Sequence, residues 1–144
     1  MMVRIRTCFA LVVATLISMD TVIANDLDDV QGTWELRYTE NGRQIRAVKT
    51  IKNDNETTAT YDGDKLLYEH VCKIEFIEAN GFHIMKWGET EVTVGPQKGM
   101  KKPPGSCISK LDGNKWYHAH GLRADEKSAP SLQLFLKTST DEKR

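Results

Sequence analysis

Four Asn-Gly or Asp-Gly pairs punctuate the chain, at Asn41-Gly42, Asp62-Gly63, Asn80-Gly81 and Asp112-Gly113. Such pairs tolerate the left-handed backbone of a two-residue hairpin turn, so each marks a place where a strand doubles back. Most of the segments between them alternate apolar and polar residues, the two-residue period of a strand with one dry and one wet face. Strands are read over residues 30–38, 44–52, 56–61, 66–77, 82–87, 91–94, 107–111, 115–122 and 132–137. A turn falls at Asn53-Asp54-Asn55, and the stretches 96–106 and 124–131 read as exposed loops. No helical apolar period and no longer internal repeat occurs in this region. The expected fold is all-β, a single antiparallel barrel of about eight or nine short strands.

The first 24 residues read differently. Arg4 and Arg6 precede an apolar run over 8–19, too short for a bilayer span, and Val22-Ile23-Ala24 follows. This is the pattern of a secretory signal peptide over 1–24, cut between Ala24 and Asn25, with an uncleaved N-terminal anchor as the alternative. The barrel domain then occupies 25–138 and a polar tail 139–144. The expected location is exported, periplasmic or secreted, with no transmembrane anchor in the mature chain. Lysine and arginine total 20, as do aspartate and glutamate. That balance leaves no basic excess to hold nucleic acid.

Export bears on the cysteines. Cys8 leaves with the signal peptide, and Cys72 and Cys107 remain. In an oxidising compartment they are expected to pair, closing a loop of about 36 residues and adding roughly 3–4 kcal/mol. Two buried thiols are the alternative.

Chemistry-bearing residues are few. Tyr68, His70 and Cys72 share the dry face of their strand with Ile74 and Phe76, while Trp116, His118 and His120 share one face of theirs. Should both faces turn inward, Tyr68, His70, Trp116, His118 and His120 line a ligand site. His-x-His on a strand sets two imidazoles about 7 Å apart. With His70 they make a candidate three-histidine transition-metal site. A solvated or hydrogen-bonded His pair is the plainer reading. His83, Met85 and Trp87 share a face as a surface patch or a soft-metal site. Gly105-Ser106-Cys107 lacks the Gly-x-Ser-x-Gly of a nucleophile elbow, and no phosphate loop or C-x-x-C is present. Lys98, Lys101 and Lys102 read as a solvated basic loop.

Gln31-Gly32-Thr33-Trp34-Glu35 followed by Asn41-Gly42-Arg43 resembles the start of small exported lipocalin-like domains of planctomycete bacteria. Tyr61-Asp62-Gly63-Asp64-Lys65-Leu66, Val94-Gly95-Pro96 and Leu111-Asp112-Gly113-Asn114 are similar to later turns of that family. The resemblance implies a small up-and-down barrel. It implies that Gly32 and Trp34 form the structural closed end, and that a small apolar ligand is carried. The functional expectation is a monomeric binding or interaction module for a small ligand or surface protein partner, with no cofactor. The alternative is a metal-binding protein or metalloenzyme.

Overall fold

The computed structural model describes residues 24–122 and 129–138, with ten strands and one short helix among them. The expected signal peptide with Cys8, part of the 124–131 loop and the 139–144 tail lie outside the described residues. The strands are β1 (Gly32–Glu40), β2 (Arg43–Lys52), β3 (Asn55–Asp62), β4 (Lys65–Ala79), β5 (Phe82–Trp87), β6 (Thr90–Val94), β7 (Lys101–Lys102), β8 (Gly105–Asp112), β9 (Lys115–His120) and β10 (Ser131–Lys137). All pair antiparallel. β3 joins β4, and β10 returns to β1 through Trp34 opposite Lys137, so the sheet closes into an eight-strand barrel.

Ten strands give eight barrel positions because two of them are interrupted. β5 and β6 run end to end along one edge of β4, Trp87 opposite Ile74 and Glu91 opposite Val71. The Gly88 amide donates to the Lys73 carbonyl at 2.9 Å across the break. β7 and β8 likewise follow β6 and β5 on either side of Pro103-Pro104. A prolyl residue has no N–H for a ladder, so the pairing stops there. The chain is thus an up-and-down meander, each strand position bonded to the next.

The hairpin turns use the backbone that the Asn-Gly pairs permit. Asn41 and Gly42 have φ of 51° and 77°, Asn80 and Gly81 of 53° and 78°. Gly105 is required for a different reason. A Cβ there would lie 2.5 Å from the Trp87 ring, so only glycine lets that indole cover β8.

One element is new and two sequence expectations are corrected. The acidic stretch before β1 is a helix, α1 (Ala24–Asp29); six residues are too few to show a helical period. The 96–106 segment is not wholly irregular, since Lys101 and Lys102 pair with Glu91 and Thr90 and β8 begins at Gly105. The Cys72–Cys107 disulfide is not formed. The register explains why. Cys107 faces Met85 on β5, which faces Phe76 on β4, whereas Cys72 lies four residues back along β4. Followed along the sheet, that separation is about 10 Å sideways and about 13 Å lengthwise. A disulfide needs Cα atoms within about 7 Å.

Large side chains fill the end of the barrel nearer α1. Trp34 and Trp116 are both 0% exposed, with ring centroids 5.4 Å apart, and Phe76, Phe135, Ile51 and Ile74 surround them. Val30 and Leu27 close this end from below. The Trp34 indole donates to the Val30 carbonyl at 2.7 Å, tying the first strand to the end of α1. Gln31 adds a clasp to the β2–β3 turn, donating to Asn53 O at 2.9 Å and accepting from Asn53 N at 2.8 Å. Trp34→Phe keeps most of the apolar area but strands a buried carbonyl and opens a void. It is expected to cost about 2–3 kcal/mol in urea unfolding.

α1 is also held by a titratable contact. His83 Nδ1 lies 2.5 Å from Asp26 Oδ2, and this hydrogen bond, reinforced by the charges of Asp26 and Glu78, raises the His83 pKa. A raised folded-state value means that the contact adds stability below the ordinary histidine pKa of about 6.5, and that this is lost as pH rises through the folded value. His83 is nearly half exposed, so the effect is small. Asp26→Asn is expected to remove the pH dependence of α1 amide-exchange protection across this window, while the barrel amides stay unchanged.

Candidate ligand cavity

Closure turns alternate residues inward, and away from α1 the inward positions change character. Lys49 on β2 stands opposite Thr58 on β3, which stands opposite His70 on β4. One step along, Glu56 stands opposite Cys72; the other way, Thr60 stands opposite Tyr68. On the far wall, Gln133 on β10 faces His118 on β9. Lys49, Glu56, Tyr68, His70, Cys72, His118 and Gln133, with His120, Met85, Trp87, Thr90, Lys102 and Pro103, bound a cavity of about 420 Å³.

Its charged members are anchored. Lys49 Nζ donates to Glu56 Oε1 at 2.5 Å, and Thr58 Oγ1 donates to the same oxygen at 2.8 Å. Lys49 also lies 5.3 Å from the Phe135 ring centroid, and Lys102 stands 4.7 Å from that of Tyr68. Four other buried polar atoms around the cavity have no hydrogen-bond partner among the described residues: Glu56 Oε2, Tyr68 Oη, His70 Nδ1 and His118 Nε2. Glu56 is 2% exposed and His118 1%. Buried polar atoms are nearly always bonded, and leaving one bare costs about 1–3 kcal/mol. Four around one cavity set this half of the barrel apart from the aromatic half.

Two of the imidazoles, His70 and His118, are shifted toward the neutral form. Burial lowers the His118 pKa well below the ordinary value, with the Lys49 charge and His120 adding to it. Burial also lowers that of His70, again helped by Lys49 and partly opposed by Glu56. The His118 ring is wedged against Trp116 at 4.3 Å, edge to face, and Phe135 at 5.1 Å. Burial and the Glu56 charge push the Cys72 thiol up to about 11, so it stays protonated and unreactive at neutral pH.

Of the residues singled out from sequence, Tyr68, His70, His118 and His120 line the cavity. Trp116 lies in the core beneath them, its Nε1 donating to Ser109 Oγ at 2.8 Å. Gly32 and Trp34 sit in the α1 half, Gly32 with a φ of 112° at the start of β1. The three histidines do not converge as a set. Cys107, not His70, completes the group, and ligand atoms of Cys107, His118 and His120 all lie within 4.8 Å of one another. This cluster can hold a metal ion. Cys107 falls one step past the Ile108–Ala119 pair, beside His120, a neighbourhood that only the β8–β9 register reveals. His83, at the α1 end, faces Asp26 instead of joining Met85 and Trp87 at the cavity.

Sequence reasoning missed Lys49, Glu56 and Gln133. A signal was available for the first: Lys49 occupies an inward place in the series Ile45, Ala47, Ile51. A charged residue in a dry register is the mark of a polar interior site. No family model, no curated protein and no solved structure matches this chain.

A depressed folded-state pKa makes the His118 contribution complete above about pH 6.5 and lost as pH falls toward the folded value. The metal-free protein is therefore expected to lose about 1.4 kcal/mol per pH unit below that point. His118→Phe should make this acid limb shallower in denaturant unfolding measured between pH 7 and pH 5, with His70 supplying what slope remains.

Proposed function

We propose that this protein is an exported binding barrel that takes up a compact polar molecule in the cavity between Lys49, Glu56, Tyr68, His70 and His118. The observation that carries the reading is the set of four bare buried polar atoms around one space. A carboxylate oxygen, a phenol and two imidazole nitrogens, with the Gln133 amide and the Lys102 ammonium alongside, call for a ligand with both hydrogen-bond donors and acceptors. A volume of about 420 Å³ suits a small metabolite. A wholly apolar ligand, which the lipocalin-like resemblance implies, would leave every one of these groups unsatisfied. A closed meander can enclose a small ligand, which supports a carrier role. Export rests on the arginine-led apolar run and on Val22-Ile23-Ala24 before Asn25.

The test is native mass spectrometry of the protein taken from its own exporting cell. The expected spectrum shows a polypeptide beginning at Asn25 and carrying one small organic molecule. Tyr68→Phe separates the cavity from mere packing. Losing a bare hydroxyl should raise the stability of the emptied barrel by about 1 kcal/mol while abolishing the bound mass. A bare polypeptide mass, or a destabilised empty Tyr68→Phe barrel, would sink the proposal.

A further inference from the structure

We infer that Cys107, His118 and His120, with Met85 beside them, form a site for one monovalent copper ion in the wall of the cavity. The sheet register assembles the site. Met85 on β5 is directly opposite Cys107 on β8, and Cys107 stands beside His120 on β9. His118 is the next inward residue on the same strand. Three adjacent strands therefore deliver a thioether, a thiol and two imidazoles to one patch of the inner wall. The thiol and imidazole ligand atoms already lie within 4.8 Å of one another.

Bonds of about 2.0–2.3 Å to a tetrahedral centre place donor atoms about 3.5 Å apart, so closing on an ion takes a contraction of about 1 Å at the widest pair. Side-chain rotation can supply that without moving strands. Cys107, His118 and Met85 are almost fully buried, so the ion would sit on the dry side of the wall. The cavity flanks it through His118 and His120.

The donor set selects the metal. Thiolate and thioether are soft ligands, and two sulfurs with two imidazoles suit copper(I). Zinc would use the thiolate and the imidazoles and gain little from the thioether. Calcium and magnesium want oxygen, and no carboxylate belongs to the cluster. On binding, the Cys107 thiol gives up its proton to solvent as the copper–sulfur bond forms; no electron is transferred. The site shares His118 with the polar-ligand reading, but neither Tyr68 nor Glu56 is a donor to it.

The test titrates the full exported protein, stripped with chelator and reductant, with copper(I) held in a chromophoric chelator under argon. A parallel titration uses zinc(II). One copper(I) per chain should survive gel filtration. Cys107→Ser should abolish retention, as should His118→Gln. Met85→Leu should weaken copper(I) binding by about tenfold while leaving zinc(II) unchanged. Circular dichroism establishes that each variant folds, and His120→Gln replaces His118→Gln if the buried substitution does not. Tyr68→Phe should keep full copper binding, so this inference and the polar-ligand reading fail separately. Absence of retained copper, or retention undiminished in Cys107→Ser, overturns the site. Unchanged copper(I) affinity in Met85→Leu overturns the copper assignment.

Discussion

The pairing of β1 with β10, Trp34 opposite Lys137, closes the sheet, and the rest of the molecule depends on it. Once eight strands join edge to edge, alternate residues on every strand point into one shared interior. An eight-strand barrel is just wide enough for side chains to fill that space. Here Trp34, Trp116, Phe135 and Phe76 fill the half nearer α1. The other half, lined mostly by polar side chains, bounds a cavity of about 420 Å³. The Trp34 indole bond to the Val30 carbonyl joins the closure to α1, so the capped end and the sealed sheet reinforce each other.

The two halves are under opposite physical demands. The aromatic half is stabilised by burial of apolar area, on the order of 25 cal/mol per Å². The cavity half holds a lysine–glutamate pair that is largely buried, together with four bare polar atoms. Breaking a buried ion pair by removing one partner is far more costly than the pair is worth as a stabiliser. Lys49 and Glu56 are therefore better understood as fixing the charge pattern of the cavity than as holding the fold together. The Lys49 charge also lowers the pKa of His70 and His118, adding to the effect of burial. The large apolar side chains are concentrated at one end of the barrel and the bare polar groups at the other.

The strands were largely legible because hairpin turns and alternation are local signals. Asn41-Gly42 and Asn80-Gly81 adopt left-handed conformations that few other dipeptides accept, and they sit where two strands reverse. What escaped was either too short or dependent on distant pairing. α1 is six residues long, and β7 is two residues hidden among prolines and glycines. The Cys72–Cys107 disulfide was argued from compartment alone, and the register sets the two residues two strands apart and four residues out of step.

The site shows the same division. Alternation along β4 and β9 marked Tyr68, His70, His118 and His120 as members of inward faces, because a side chain's facing is settled within its own strand. Which faces meet is settled by register between strands far apart in the chain. That register put Cys107 beside His120 in place of His70, set Met85 opposite Cys107, and brought Lys49 and Glu56 together across β2 and β3. Strand position and facing are short-range properties of the backbone. Convergence is a long-range one, created only when the sheet closes.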